Sequence, residues 1–481
     1  MAPETTCLVI HDSESLMKAV TFFLDHDGTD SAAGPKRVRV QLKNQKSHSF
    51  DAHSSFSNQN FDDLLDAIEA AKGVSIESLS LDMKVFQELV DAAAVDRFVG
   101  VFGEIQSLKE LVCDGRFYCG GALDFQNLTI LLERTKSISS LVINDILFDG
   151  TTQWYTDFAE AIAGLSTLTQ IKFRECNLLA AQRIATNMVP VLSAIAKLPL
   201  LTDIDVSCWV AGPEETDSEE LASILSTICS RPNLTCLEFN SLLNREHCLP
   251  AIMSAIMTSK SIKVLTLSVT VQKLDCSYLC AILLSNAILE ELFIRVCDFE
   301  DGAIARDSAD GAMALVIDAL RTNENLRGLT LKYRPIRHFA GLLRGLQRRR
   351  LLLRHGQNLQ LPRQQPQIQY LVAAPPIQNP PQGSDHRFFS KQIQESMVFM
   401  LADNMTLQSL CFKGWEDTID ELETVKRMQL FVSLNKWGRK RLVTESGKVS
   451  PLEWVNALAA ASDNVDGLFH FLSLNPSLCS E

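Results

Sequence analysis

The sequence predicts an α/β solenoid, a horseshoe with a parallel concave sheet, helices outside and a cap at each end. Three observations carry that expectation. A phrase of an apolar residue, two residues, a second apolar residue, one residue and a third recurs along the 481 residues. Its first nine starts lie 27 to 37 residues apart, a period at which each unit buries its apolar side against the next. Between the phrases, apolar residues return at helical spacing instead of strand spacing.

The copies run in order. Ile76-Glu-Ser-Leu79-Ser-Leu81 is first, then those starting at Leu108, Ile138, Leu168, Leu201, Leu234, Ile262, Leu289 and Leu326. A last copy, Leu407-Gln-Ser-Leu410-Cys-Phe412, follows a gap. Within a phrase, apolar and polar residues alternate, which suits a short strand with one face buried. Phe158, Ile162 and Leu165 share one helical face, as do Leu221, Ile224, Leu225 and Ile228. Asp217 and Ser218, followed by two glutamates, supply a helix cap and first-turn acids. Strand and helix repeated about every 30 residues place a parallel sheet inside and helices outside.

Five segments follow. Residues 1–60 read as an N-terminal cap, with short strands at Leu8–Ile10, Thr21–Leu24 and Val38–Leu42 and a polar loop from Ser47 to Asn60. Residues 61–342 are the array. Residues 343–385 read as a flexible insertion rich in Arg, Gln and Pro, with Arg348-Arg-Arg350 and two Pro-Pro pairs that fit neither helix interiors nor central strands. Residues 386–416 hold the last repeat. Residues 417–481 form a helical cap with helices at Leu422–Leu434 and Pro451–Ser462. The window from Asn325 to Ser384 has ten basic residues and no acid; the reading there is a solvated linker, with a nuclear-import signal or a dock for an acidic partner as the sharper alternatives.

At this point the chain resembles the leucine-rich-repeat proteins of the ribonuclease-inhibitor-like type, over residues 75–335 and 391–416. That family often places Asn or Cys three residues after the third apolar position. Cys176 and Cys297 match, whereas Lys84, Arg116, Ile146, Trp209, Leu242, Thr270, Arg334 and Trp415 do not. The resemblance implies full helices between strands and leaves the loop after each strand less defined. The segment from Leu434 through Arg439 to Leu442, with Trp454 and the stretch Leu468 to Cys479, resembles the end of a group of leucine-rich-repeat proteins from microalgae that carry no assigned activity.

Composition narrows the function classes. A net charge of -13 and a pI near 5.3 argue against general nucleic-acid affinity. No run approaches the roughly 18–20 apolar residues of a membrane helix, and the opening residues resemble no secretory leader. The 13 cysteines are unpaired in spacing and several fall inside the phrase, so reduced core thiols in an intracellular, cytoplasmic or nuclear setting are expected. Cys276 and Cys280 stand at i and i+4, but no His is near to complete a metal site. No cofactor is expected.

The phrase also marks a face. Its apolar residues point into the core; the residues beside and between the last two point the other way, into the hollow. Partner contact there falls on Asp82, Asp114, Lys172, Arg174, Asp203, Asp205 and Glu238, then on Phe293, Arg295 and Lys332. Acids dominate the early units and cations end the late ones, which would orient a dipolar partner. Asp203 and Asp205 on one strand read as a like-charge cost. Ordinary solvated strand residues are the alternative explanation. The expected function is a non-enzymatic scaffold that holds a partner protein on this face, with no nucleic acid and no membrane.

Three other readings compete. Ran GTPase-activating proteins share this repeat architecture and commonly end in an acidic tail, whereas this chain ends Pro-Ser-Leu-Cys-Ser-Glu. A ubiquitin-ligase adaptor would carry an F-box before the repeats, and none is recognisable. Leu24-Asp25-His-Asp27-Gly28-Thr29 resembles the first motif of haloacid-dehalogenase-type phosphatases. That resemblance implies a strand ending in Asp25 as nucleophile and Asp27 as acid and base. It also requires a later Lys and acidic pair in a domain for which the repeats leave no room, and Asp-Gly serves equally as a turn.

Overall fold

The computed structural model describes residues 5–11, 13–25, 36–42, 58–71, 74–83, 92–118, 122–146, 152–174, 189–206, 218–240, 249–270, 273–298, 305–335, 391–413, 422–444 and 449–479. Strand and helix alternate from the first described element. The order opens β1 (Thr6–Ile10), α1 (Ser13–Leu24), β2 (Lys36–Leu42), α2 (Asn58–Ala70), β3 (Val74–Asp82), α3 (Ala92–Gly103) and β4 (Glu110–Tyr118). It continues α4 (Ala122–Arg134), β5 (Ser140–Ile146), α5 (Thr152–Ala163), β6 (Gln170–Arg174), α6 (Val189–Lys197) and β7 (Asp203–Val206). Then come α7 (Ser218–Cys229), β8 (Cys236–Asn240), α8 (Leu249–Thr258), β9 (Val264–Thr270), α9 (Lys273–Ser285), β10 (Glu291–Asp298), α10 (Ala305–Thr322) and β11 (Gly328–Pro335). The last elements are α11 (Lys391–Asp403), β12 (Ser409–Lys413), α12 (Leu422–Lys436), α13 (Arg439–Thr444), α14 (Pro451–Ala460) and α15 (Val465–Leu474). The strands are ordered in the sheet as they occur in the chain, which with intervening helices is the leucine-rich-repeat solenoid.

The chain forms two compact units: Met1–Ser268 with Leu284–Leu292, and Val269–Leu283 with Phe293–Glu481. In the first unit β1 to β9 pair in parallel, neighbour to neighbour. The phrase explains the core: Leu79 and Leu81, Leu111 and Cys113, Leu141 and Ile143, and Ile171 and Phe173 are all sealed from water. The first apolar residue of most copies sits before its strand begins, in the turn, so two residues separate it from the second. That turn is held by a stair of backbone bonds: Ser139 N donates to Lys109 O at 2.8 Å, Thr169 N to Ser139 O at 2.8 Å and Thr202 N to Thr169 O at 2.8 Å. The hydroxyls of Thr169, Thr202 and Thr235 add second bonds to the same carbonyls. Helices pack by the same logic. In α5, Tyr155, Phe158, Ala159 and Ile162 form one buried stripe, while Gln153 and Glu160 face water.

The N-terminal segment differs from its reading in one element. Thr21–Leu24, expected as a strand, is the last turn of α1, with Leu16, Ala19, Val20 and Phe23 buried at helical spacing. A run as short as Thr21-Phe-Phe-Leu24 fits either period, and the buried residues before it decide for helix. The described part of 1–60 is thus strand and helix in the same alternation as the array, and Asn58 opens α2 instead of ending a loop.

In the second unit β11 pairs in parallel with β12 across the long gap in the phrase, Gly328 beside Ser409 and Lys332 beside Lys413. The insertion read at 343–385 lies outside the described residues. Beyond β12, helices α12 to α15 enclose a small core of Leu434, Leu442, Trp454, Ala457, Ala461 and Phe471. Ser450 caps α14 in a capping box with Glu453, and Pro451 opens the helix. Gly438, at φ 96°, makes the turn from α12 into α13 in a conformation that a side chain would strain.

Candidate functional site

The register of the first unit turns the outward residues into three rows across neighbouring strands about 4.8 Å apart. One row runs Ser78, Glu110, Ser140, Gln170, Asp203, Cys236. The next runs Ser80, Val112, Val142, Lys172, Asp205, Glu238. The third runs Asp82, Asp114, Asn144, Arg174. These are the seven residues expected in the first unit, with their neighbours, and the structure does bring them onto one face.

The rows are organised by cross-strand bonds. Ser78 Oγ donates to Glu110 Oε2 at 2.8 Å, and Ser140 Oγ to Gln170 Oε1 at 2.7 Å. Gln170 Nε2 then donates to Asp203 Oδ2 at 2.5 Å, and Lys172 Nζ lies 2.6 Å from the same oxygen. Arg174 Nε reaches Asp205 Oδ2 at 3.5 Å. Each cation of β6 leans diagonally to the acid of β7. The like-charge cost read from Asp203 and Asp205 is therefore corrected: each carboxylate has its own cation. Nor do both face water, because Asp205 is 3% exposed. What stays directly opposed across strands is Asp82 with Asp114 and Asp205 with Glu238. Arg174, with 53% of its side chain exposed, is the most accessible charge of the β6–β7 group.

Burial, helped by Asp203, pushes the Cys236 thiol up to about 12, and burial does the same for Cys113 and Cys229. Among the described residues no cluster of His, Cys, Asp and Glu could hold a metal ion, and Cys280 is half-buried on α9. No described helix is long and apolar enough to cross a membrane.

Phe293, Arg295 and Lys332 belong to the second unit, on β10 and β11. Phe293 is half-buried, and Lys332 stands in register with Lys413. Asp25 ends α1, not a strand, and Asp27, Gly28 and Thr29 lie outside the described residues, as does Arg348-Arg-Arg350.

Several buried polar residues escaped the reading. Asn286 in the first unit and Asn323 and Asn404 in the second each stand three residues before a phrase. Each accepts two backbone N–H groups of its own turn at Oδ1 and donates from Nδ2 to the preceding helix: Asn286 to Ile256 O, Asn323 to Leu283 O and Asn404 to Leu320 O. Arg231 donates to the carbonyls of Leu198 and Ala196 at the end of α6, and Arg439 to those of Leu401 and Ala402 near the end of α11. Arg439 is 2% exposed, and burial lowers its pKa. These residues hold helix ends. The fixed offset of three was the signal that could have found the asparagines.

No protein-family model matches the chain, and no curated protein matches it. Among solved structures it is similar to one described as the crystal structure of the Rad7 and Elc1 complex in yeast. That likeness has a TM-score of 0.31 and 13% identity over 66% of this chain and 82% of that one.

Proposed function

We propose that the chain is a non-enzymatic scaffold whose first unit holds a partner protein on the sheet face turned away from the helices. One observation carries this reading. The face bears three registered rows of polar and charged side chains, held in place by bonds between strands, and a fixed array of that kind presents one pattern without an ordering cost on binding. Its charges are mainly acidic: Asp82, Glu110, Asp114, Asp203, Asp205 and Glu238 against Lys172 and Arg174. A partner with a basic contact surface fits best. The apolar Val112 lies half-buried among them and adds a contact that excludes water.

The test uses the directly opposed acids. Asp114 is half-buried on this face, and a urea midpoint read beside the capture checks that Asp114→Lys keeps the fold. The same change inverts the charge presented to a partner. Proteins captured from the native cell extract by the wild-type chain should be lost with Asp114→Lys and kept with Glu219→Lys, on the exposed side of α7. Equal capture by all three chains would place the interface elsewhere.

A further inference from the structure

A helix packed on one side needs only one apolar face, and the last two helices carry two. The inner faces of α14 and α15 place Trp454, Ala457, Gly467 and Phe471 on the terminal core. Their outer faces leave Leu452 66%, Val455 57%, Val465 80% and Phe469 73% exposed. The two helices are consecutive, joined at 461–464, and close on the same core. Leu452 and Val455 stand three apart on one helix, Val465 and Phe469 four apart on the other, each pair on a single face.

We infer that this face is the contact between two copies of the chain, joined about a two-fold axis through α14 and α15. The area suits that occupant. The four side chains leave roughly 500 Å² of apolar surface in water, at the upper end of what a monomer exposes in one patch. A stable interface takes about 800 Å² from each partner, of which about 65% is apolar in homodimers, so the apolar part needed is about 500 Å². Charge points the same way. The chain carries -13, so two copies repel unless they meet over uncharged surface. A two-fold contact also sets residues near the axis against their own counterparts, where any charge would face itself. The 20 residues of α14 and α15 contain two charged side chains, and one of them, Glu453, is turned to Arg441. The other, Asp466, is exposed in the first turn of α15, one turn before Phe469, where it stands at the rim of the contact. Phe469 is the anchor of this contact.

The experiment is light scattering and sedimentation on the full chain at about 50 µM, above the micromolar limit of standard-size interfaces. The expected mass is twice 53.4 kDa. Phe469→Asp should give a single copy at the same concentration, with an unchanged urea midpoint at high dilution, where both chains are single, since the ring is outside the core. Val455→Lys, on the other helix, should do the same. A wild-type chain that stays single at that concentration overturns the inference, and so does a Phe469→Asp chain that still pairs. A single-copy chain that floats with vesicles of phosphatidylcholine and phosphatidylserine would assign the face to lipid and equally overturn it. None of these outcomes touches the partner reading of the first unit.

Discussion

Asn404→Ala should weaken the second unit by about 2–4 kcal/mol, and the figure follows from counting what the amide holds. Asn404 is 3% exposed. Its Nδ2 donates to Leu320 O at 2.6 Å and Asn323 O at 3.0 Å. Its Oδ1 accepts from Thr406 N at 2.9 Å and Leu407 N at 2.8 Å. After truncation Asn323 O keeps the Thr406 hydroxyl and Leu320 O keeps the Asn323 N–H at 3.3 Å, so two backbone N–H groups are orphaned. Each buried orphan costs about 1–3 kcal/mol, and partial access of water trims the sum to the stated range. Urea unfolding followed by circular dichroism reads the loss. Hydrogen exchange of peptides covering 404–413 should show that the turn into β12 opens first. Asn325→Ala, at an exposed site on the previous turn, should stay within about 0.5 kcal/mol. A loss below about 1 kcal/mol for Asn404→Ala would mean that the amide is replaceable and that the turn is held by its apolar residues alone.

Two further outcomes concern the terminal helices. Gly467→Ala places a Cβ 2.5 Å from Cζ3 of Trp437, a ring fixed near Phe471, so overpacking should cost about 1–3 kcal/mol in urea titrations. His470 gives a pH dependence. Burial first, and then Arg439, lower its pKa, and its Nε2 is buried without a hydrogen-bond partner. The folded chain therefore binds fewer protons than the unfolded chain, whose His titrates near 6.5. Stability should be full above 6.5 and fall as the pH drops from 6.5 toward the lower folded value. His470→Leu should flatten that slope, and an unchanged slope between pH 7 and 5.5 would assign the effect to other groups.

The period and the inward positions were legible because both are local. Leu79, Leu111, Leu141 and Ile171 announce themselves by spacing, and parallel stacking then fixes which residues share a row. Hence Asp82, Asp114 and Arg174 were placed on one face without coordinates. Pairing was not legible. That Lys172 reaches Asp203, and Arg174 Asp205, depends on side chains leaning diagonally across two strands some 31 residues apart, which spacing along one strand cannot report. Thr21–Leu24 was misread because a run of four residues fits both periods. The asparagines were missed because a polar residue in a turn is read as solvated until its burial is known.

The two kinds of polar residue in the array stand in different relations to stability. Asn286, Asn323 and Asn404 are buried at a fixed offset, and apart from the Thr406 hydroxyl on Asn404 their side chains bond to backbone that any sequence would present. Replacing them loses folding energy whatever the partner. The outward rows differ from strand to strand: Glu110, Ser140, Gln170 and Asp203 occupy the same row with different chemistry. A stack needs only that such positions be compatible with their neighbours, which the bonds from Ser140 to Gln170 and on to Asp203 achieve. It does not itself dictate an acid at Asp82 and another at Asp114. The carboxylates of this face are thus a choice that stacking leaves open, and that freedom is the reason the proposed partner is one with a basic contact surface.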